Sequence, residues 1–143
     1  MKDHDFLYYF EKVSETFPNL AHLTTLENGW LDGEGLAPNK EVLLWLAKNL
    51  KENLIWHGSV ISLQDLSDPY CYPTFEGNVS LEWYSKKYDI SLLIDMKTLI
   101  CYFSFVNVKD EDKDESDQEG EFSLTSKSDW VLFNSRLEVL LNL

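Results

Sequence analysis

From Val79 onward the sequence changes side-chain character at every second residue. Val79, Leu81 and Trp83 alternate with Ser80, Glu82 and Tyr84. A strand sends successive side chains to opposite faces, so this two-residue period predicts a strand with one buried face. Ile90, Leu92 and Ile94 alternate with Ser91 and Leu93 and predict a second. The stretch from Leu99 to Val106 is nearly all apolar and predicts a central strand buried on both faces. The connections at Lys86-Lys87 and Asp95-Met96-Lys97 suit hairpins, so these strands are expected to be antiparallel neighbours. Tyr70 to Phe75 predicts a fourth strand, turned by Glu76-Gly77-Asn78.

Helical patterns flank this meander. Phe6, Phe10, Val13 and Phe17 recur three and four apart, which predicts an amphipathic helix from Asp3 to Phe17, ended by Pro18. Leu20, Leu23 and Leu26 predict a short second helical piece, closed by Asn28-Gly29. Asn39 is a suitable N-cap for a helix over 40–52, with Val42, Leu43, Trp45, Leu46 and Leu50 as its buried stripe. Leu54-Ile55-Trp56 and Val60-Ile61-Ser62-Leu63 are too short to assign. Ser126 and Asp129, spaced as a variant capping box, open a last helix. Its expected apolar face is Trp130, Val131, Phe133, Leu137, Leu140 and Leu141. The order predicts an α+β fold: an antiparallel meander of four to five strands, with helices from both termini packed mainly on one face. A length of 143 residues suits a single domain over 1–143.

The charge restricts partners. The formal net charge is −13, which repels nucleic-acid phosphates and anionic membranes and favours a basic protein partner. Residues 109 to 121 hold eight acids and two lysines, so this one segment carries −6 of that total. A mobile acidic loop is expected there. A DNA-mimicking inhibitor would spread its carboxylates over the fold instead. The opening Met1-Lys2-Asp3-His4-Asp5 lacks the apolar core of a signal peptide, and no apolar run approaches membrane-spanning length. A cytoplasmic location is expected, and with it reduced, buried thiols at Cys71 and Cys101.

Few residues form a chemical constellation. His4, His22 and His57 stand apart, and no zinc, Walker, dinucleotide or nucleophile-elbow motif is present. Asp110, Asp112, Asp114 and Glu121 fall at positions 1, 3, 5 and 12 of a calcium loop and are its candidate ligands. Position 6, which should be glycine, is Glu115, and the preceding segment predicts a strand rather than a helix. No cofactor is expected.

The most distinctive segment is Gly29-Trp30-Leu31-Asp32-Gly33-Glu34-Gly35. Three glycines in seven residues predict a tightly shaped loop joining helix to sheet. Trp30 is its expected anchor, and Asp32 and Glu34 are expected to cap backbone amides near Lys40 or to face a partner. This segment, continued by Leu36-Ala37-Pro38, and the later Pro73-Thr74-Phe75-Glu76-Gly77-Asn78-Val79-Ser80-Leu81-Glu82-Trp83 resemble a group of small uncharacterised bacterial proteins. Those carry a "WDGxGA-P" loop, a helix, and then a "P-P-GGV-LEW" strand motif. Here Leu31 is inserted between Trp30 and Asp32, and Asn78 replaces a glycine. The resemblance spans about residues 28 to 106 and implies no established activity. Companions of toxin–antitoxin or mobile-element genes occur in that group, which implies a protein-binding role.

The leading expectation is a non-enzymatic module of antitoxin or immunity type that holds a basic protein. The alternative is a small-ligand binder or enzyme with a carboxylate site between the 29–35 loop and the sheet. Trp30, Asp32, Glu34 and Glu82 are the candidate binding residues in either case. A DNA-mimic inhibitor is the third class.

Overall fold

The structure, a computed structural model, describes residues 3–54, 69–84, 88–107 and 118–142. The apolar pieces at 55–56 and 60–63, the Lys86-Lys87 connection and residues 108–117 lie outside them.

Helix α1 spans Asp3–Ser14 and stops three residues short of the expected end at Phe17. Proline has no N–H and its ring clashes with the carbonyl four residues back, so the helix cannot run through Pro18. The chain tightens first: the amides of Thr16 and Phe17 both donate to the Val13 carbonyl, at 3.1 and 2.9 Å. Pro18 then opens α2 (Pro18–Ala21), where its missing donor costs nothing. A 3₁₀ turn over His22–Thr25 follows. Helix α3 spans Lys40–Asn53, and the Asn39 side chain caps it by accepting the Val42 amide at 3.1 Å.

The strands are β1 (Tyr70–Pro73), β2 (Val79–Tyr84), β3 (Tyr88–Ile94), β4 (Ile100–Asn107) and β5 (Gln118–Ser123). They form one antiparallel sheet in chain order. Helix α4 (Lys127–Asn142) closes the fold. The Ser126 hydroxyl accepts the Asp129 amide at 3.1 Å, as a cap should. The Asp129 carboxylate does not return to Ser126. It accepts the Ser123 amide at 2.9 Å and fastens α4 to the end of β5.

Register sets the layers. Leu81, Leu92 and Phe103 are cross-strand partners in one row, and all three are buried beneath the helices. Burying each stabilises by roughly 1.5–3 kcal/mol, and a one-residue slip would turn the whole row to solvent. The same face carries Val79, Trp83, Ile90, Ile94, Cys101, Phe105 and Phe122. Leu43, Leu46 and Leu50 of α3 and Trp130, Phe133, Leu137 and Leu140 of α4 complete the core. The helices therefore lie on one face, and the sheet's other face is free of them among the described residues.

Three expectations change. β4 lies inside the sheet, between β3 and β5, but it is buried on one face only, with Tyr102 exposed on the other. An all-apolar run does not reveal that one face lacks a covering layer. The acidic segment does not remain a loop to Glu121, because residues 118–121 belong to β5. Val131 is exposed rather than on the buried face of α4, as are Leu132 and Val139.

Candidate functional site

The glycine-rich segment is a miniature hairpin. Leu31 and Glu34 exchange two backbone hydrogen bonds of 2.8 and 2.9 Å. Asp32 and Gly33 between them both have positive φ, 52° and 91°, as a two-residue primed turn requires. Asp-Gly meets that demand, because aspartate tolerates the left-handed region and glycine has no Cβ to clash. The Gly29 amide closes the base by donating to the Gly35 carbonyl at 2.7 Å.

Trp30 anchors this hairpin through its indole N–H, which donates to the Leu36 carbonyl at 2.8 Å. Leu36 in turn is the joint to the sheet. Its amide donates to the Phe75 carbonyl at 2.9 Å, and it bridges Glu76 in the turn between β1 and β2. Asp32 and Glu34 do not cap α3. Asn39 does so, and Asn28 Oδ1 takes the Ala37 amide at 2.9 Å. The two carboxylates stand exposed on the hairpin.

Glu82 lies elsewhere, on the helix-free face of β2, and shares no hydrogen bond with Asp32 or Glu34 among the described residues. A cleft of about 440 Å³ does open beside the glycine segment, but its walls are Tyr9, Leu26, Glu27, Asn28, Ala37, Pro38, Asn39, Lys40 and Glu41. None of the sequence-derived candidates lines it. Of the calcium-loop set, Asp110, Asp112 and Asp114 lie outside the described residues, and Glu121 is an exposed strand residue of β5. Among the described residues no three His, Cys, Asp or Glu side chains are grouped to hold a metal. No described helix is long and apolar enough to cross a membrane.

The helix-free face has a definite pattern. One row across the sheet runs Tyr70, Glu82, Ser91, Ser104, Glu119, and the next runs Tyr72, Ser80, Leu93, Tyr102, Glu121. Small serines occupy the middle of the first row, with carboxylates on either side. Glu82 and Glu119 are three strands apart, about 14 Å at the usual inter-strand spacing. Tyr70, Tyr72, Tyr84 and Tyr102 are all exposed. The Tyr70 and Tyr84 rings meet at 5.5 Å between centroids. The Tyr84 hydroxyl donates to the Glu82 carboxylate, and this bond, with the nearby negative charge, pushes its ionisation up to about 12.

The strands hold four carboxylates, Glu82, Asp89, Glu119 and Glu121, and not one lysine or arginine. All four point to the helix-free face by alternation. The only ion pair between described residues joins Lys12 of α1 to Glu15 just beyond its end, away from the sheet. Sequence alternation places Glu82 and Tyr84 on this face but not Tyr70, Tyr72 and Tyr102, which lie in stretches without a clear polar–apolar alternation.

Comparison with protein-family models, with curated proteins and with solved structures finds no match to this chain.

Proposed function

We propose that the chain is a non-enzymatic protein-binding module that holds a basic partner against the helix-free face of its sheet. The observation that carries this reading is the sorting of charge in the strands: four carboxylates, all on one face, with no cation among the described strand residues. Such a face attracts a basic surface and speeds its encounter. The exposed tyrosines add large amphipathic contact area, and their rings receive arginine or lysine by cation–π attraction. An antitoxin- or immunity-type companion of a basic protein is the class of protein that uses such a surface.

Affinity capture from the native cell tests the proposal. The wild-type chain is compared with a triple variant, Glu82→Lys, Glu119→Lys and Glu121→Lys, at low and at high salt. The expected result is one basic protein held at low salt, released at high salt and missing from the variant. Equal capture by both chains, or capture indifferent to salt, would refute it.

A further inference from the structure

β5 is the last strand of the sheet and bonds to β4 on one side only among the described residues. Which of its backbone groups are free follows from the hydrogen bonds at its end. The Leu124 amide donates to the Leu99 carbonyl, toward β4, whereas the Ser123 amide donates away, to Asp129. Backbone groups of an antiparallel strand alternate in direction. Phe122 and Gly120 therefore face β4, and Glu121 and Glu119 present their N–H and C=O groups outward. Ser123 is already occupied, so the open edge is confined to residues 119–121.

A cleft of about 200 Å³ runs between this edge and α4. The rings of Phe103, Phe122 and Phe133 form its floor and Leu132, 67% exposed, one wall; Asp129 and Arg136 also line it, the Arg136 guanidinium lying 5.6 Å from the centre of the Phe103 ring. Gly120 contributes no side chain; the Phe103 ring fills that place, 2.7 Å from where a Cβ would stand. A free strand edge beside a cleft with an aromatic floor is the geometry that accepts an added strand.

We infer that β5 receives an extended segment of a basic partner as a sixth strand, paired to Glu119 and Glu121, with an aliphatic side chain in the cleft beside α4. This rests on the binding role proposed above and specifies how the partner is held. Cross-strand neighbours share a face, so the side chains opposite Glu119 and Glu121 join them on the helix-free face and are basic. The residue between them turns to the other face, opposite Gly120, and is apolar. The recognised segment thus alternates basic, aliphatic, basic. A second copy of this chain is a poor occupant, because pairing β5 with itself would bring Glu119 and Glu121 against their own copies.

The test uses the full chain and a synthetic probe, acetyl-Lys-Val-Lys-Val-Lys-amide, with a probe of scrambled order as control. Amide hydrogen exchange is read residue by residue. The expected result is at least tenfold slower exchange at Glu119 and Glu121 and no change at Gly120 and Phe122, which β4 already protects. Glu121→Pro removes one outward donor without touching a β4 bond and should weaken binding at least tenfold. If that variant does not fold, Leu132→Lys, which replaces the apolar wall by a second cation beside Arg136, should weaken it similarly. Glu11→Lys, an equal change of charge on α1, should change affinity less than threefold. Binding that protects no alternating pair in β5 and is lost with Glu82→Lys would overturn strand addition while leaving the proposed function standing. No binding at millimolar probe would overturn it, and so would a probe-independent dimer abolished by Glu121→Pro.

Discussion

Glu82 and Tyr84 stand two residues apart on β2, share the helix-free face, and are joined by a hydrogen bond from the tyrosine hydroxyl to the carboxylate. Ionising the tyrosine would discard that donor and place a second negative charge beside the first. Its ionisation is accordingly raised from 10.0 to about 12. Between those values the unfolded chain releases this proton while the folded chain keeps it, so the contribution to stability is complete below pH 10 and lost as pH rises toward 12. A phenolate absorbance titration should show one tyrosine ionising late, absent in Tyr84→Phe. Glu82→Gln should move that step back toward pH 10. Superimposable curves for wild type and Glu82→Gln would sink the assignment.

Gly77 and Gly33 make a controlled pair. Both have positive φ, 85° and 91°. A Cβ at Gly33 would meet nothing within 4 Å, whereas one at Gly77 would sit 3.3 Å from the Leu36 Cβ, at the joint between loop and sheet. Alanine at Gly33 should cost about 1–2 kcal/mol, the left-handed penalty alone. Alanine at Gly77 should cost more, by about 1 kcal/mol, because it also overpacks the joint. Urea unfolding of both variants checks the order; equal losses would mean that the loop and the β1–β2 turn are not in tight contact.

The sheet was legible because its signal is local. Val79–Tyr84 and Tyr88–Ile94 alternate in register with the pleat, and one buried face suffices to show it. β5 was not, because Gln-Glu-Gly-Glu has little strand propensity of its own and is held by a distant residue, the Phe103 ring lying over Gly120. The glycine hairpin was legible as a shaped loop, since Asp32-Gly33 is a turn pair wherever it occurs. Its role as a joint was expected, but the residues that make the joint were not legible, because the contact between Leu36 and Gly77 spans 41 residues. The helix-free face was hidden for a similar reason. Tyr70, Tyr72 and Tyr102 could as well fill a core, and only the placement of α1, α3 and α4 on the opposite side shows that they do not.

Asn78 links two turns. Its Oδ1 accepts the Met96 amide at 2.9 Å, tying the β1–β2 turn to the β3–β4 turn. Asn78→Ala leaves that partly buried amide without its partner and should cost about 1–2 kcal/mol. Asn78→Asp, which keeps an acceptor, should recover most of it. Chemical denaturation midpoints at constant slope provide the measurement, and an unperturbed Asn78→Ala would show that solvent serves the Met96 amide equally well.

Cys71 and Cys101 should differ sharply in reactivity and never pair. β2 and β3 separate their strands, so their Cα atoms are at least about 14 Å apart, twice the limit for a disulfide. Cys101 is fully buried, and burial pushes its thiol well above the usual range, which starves it of the reactive thiolate. Cys71 is only partly buried, on the edge strand β1. Brief alkylation of the native chain, read by peptide mass, should label Cys71 first and Cys101 only after denaturation. Equal labelling, or a Cys71–Cys101 bridge under mild oxidation, would contradict the strand order from which this prediction follows.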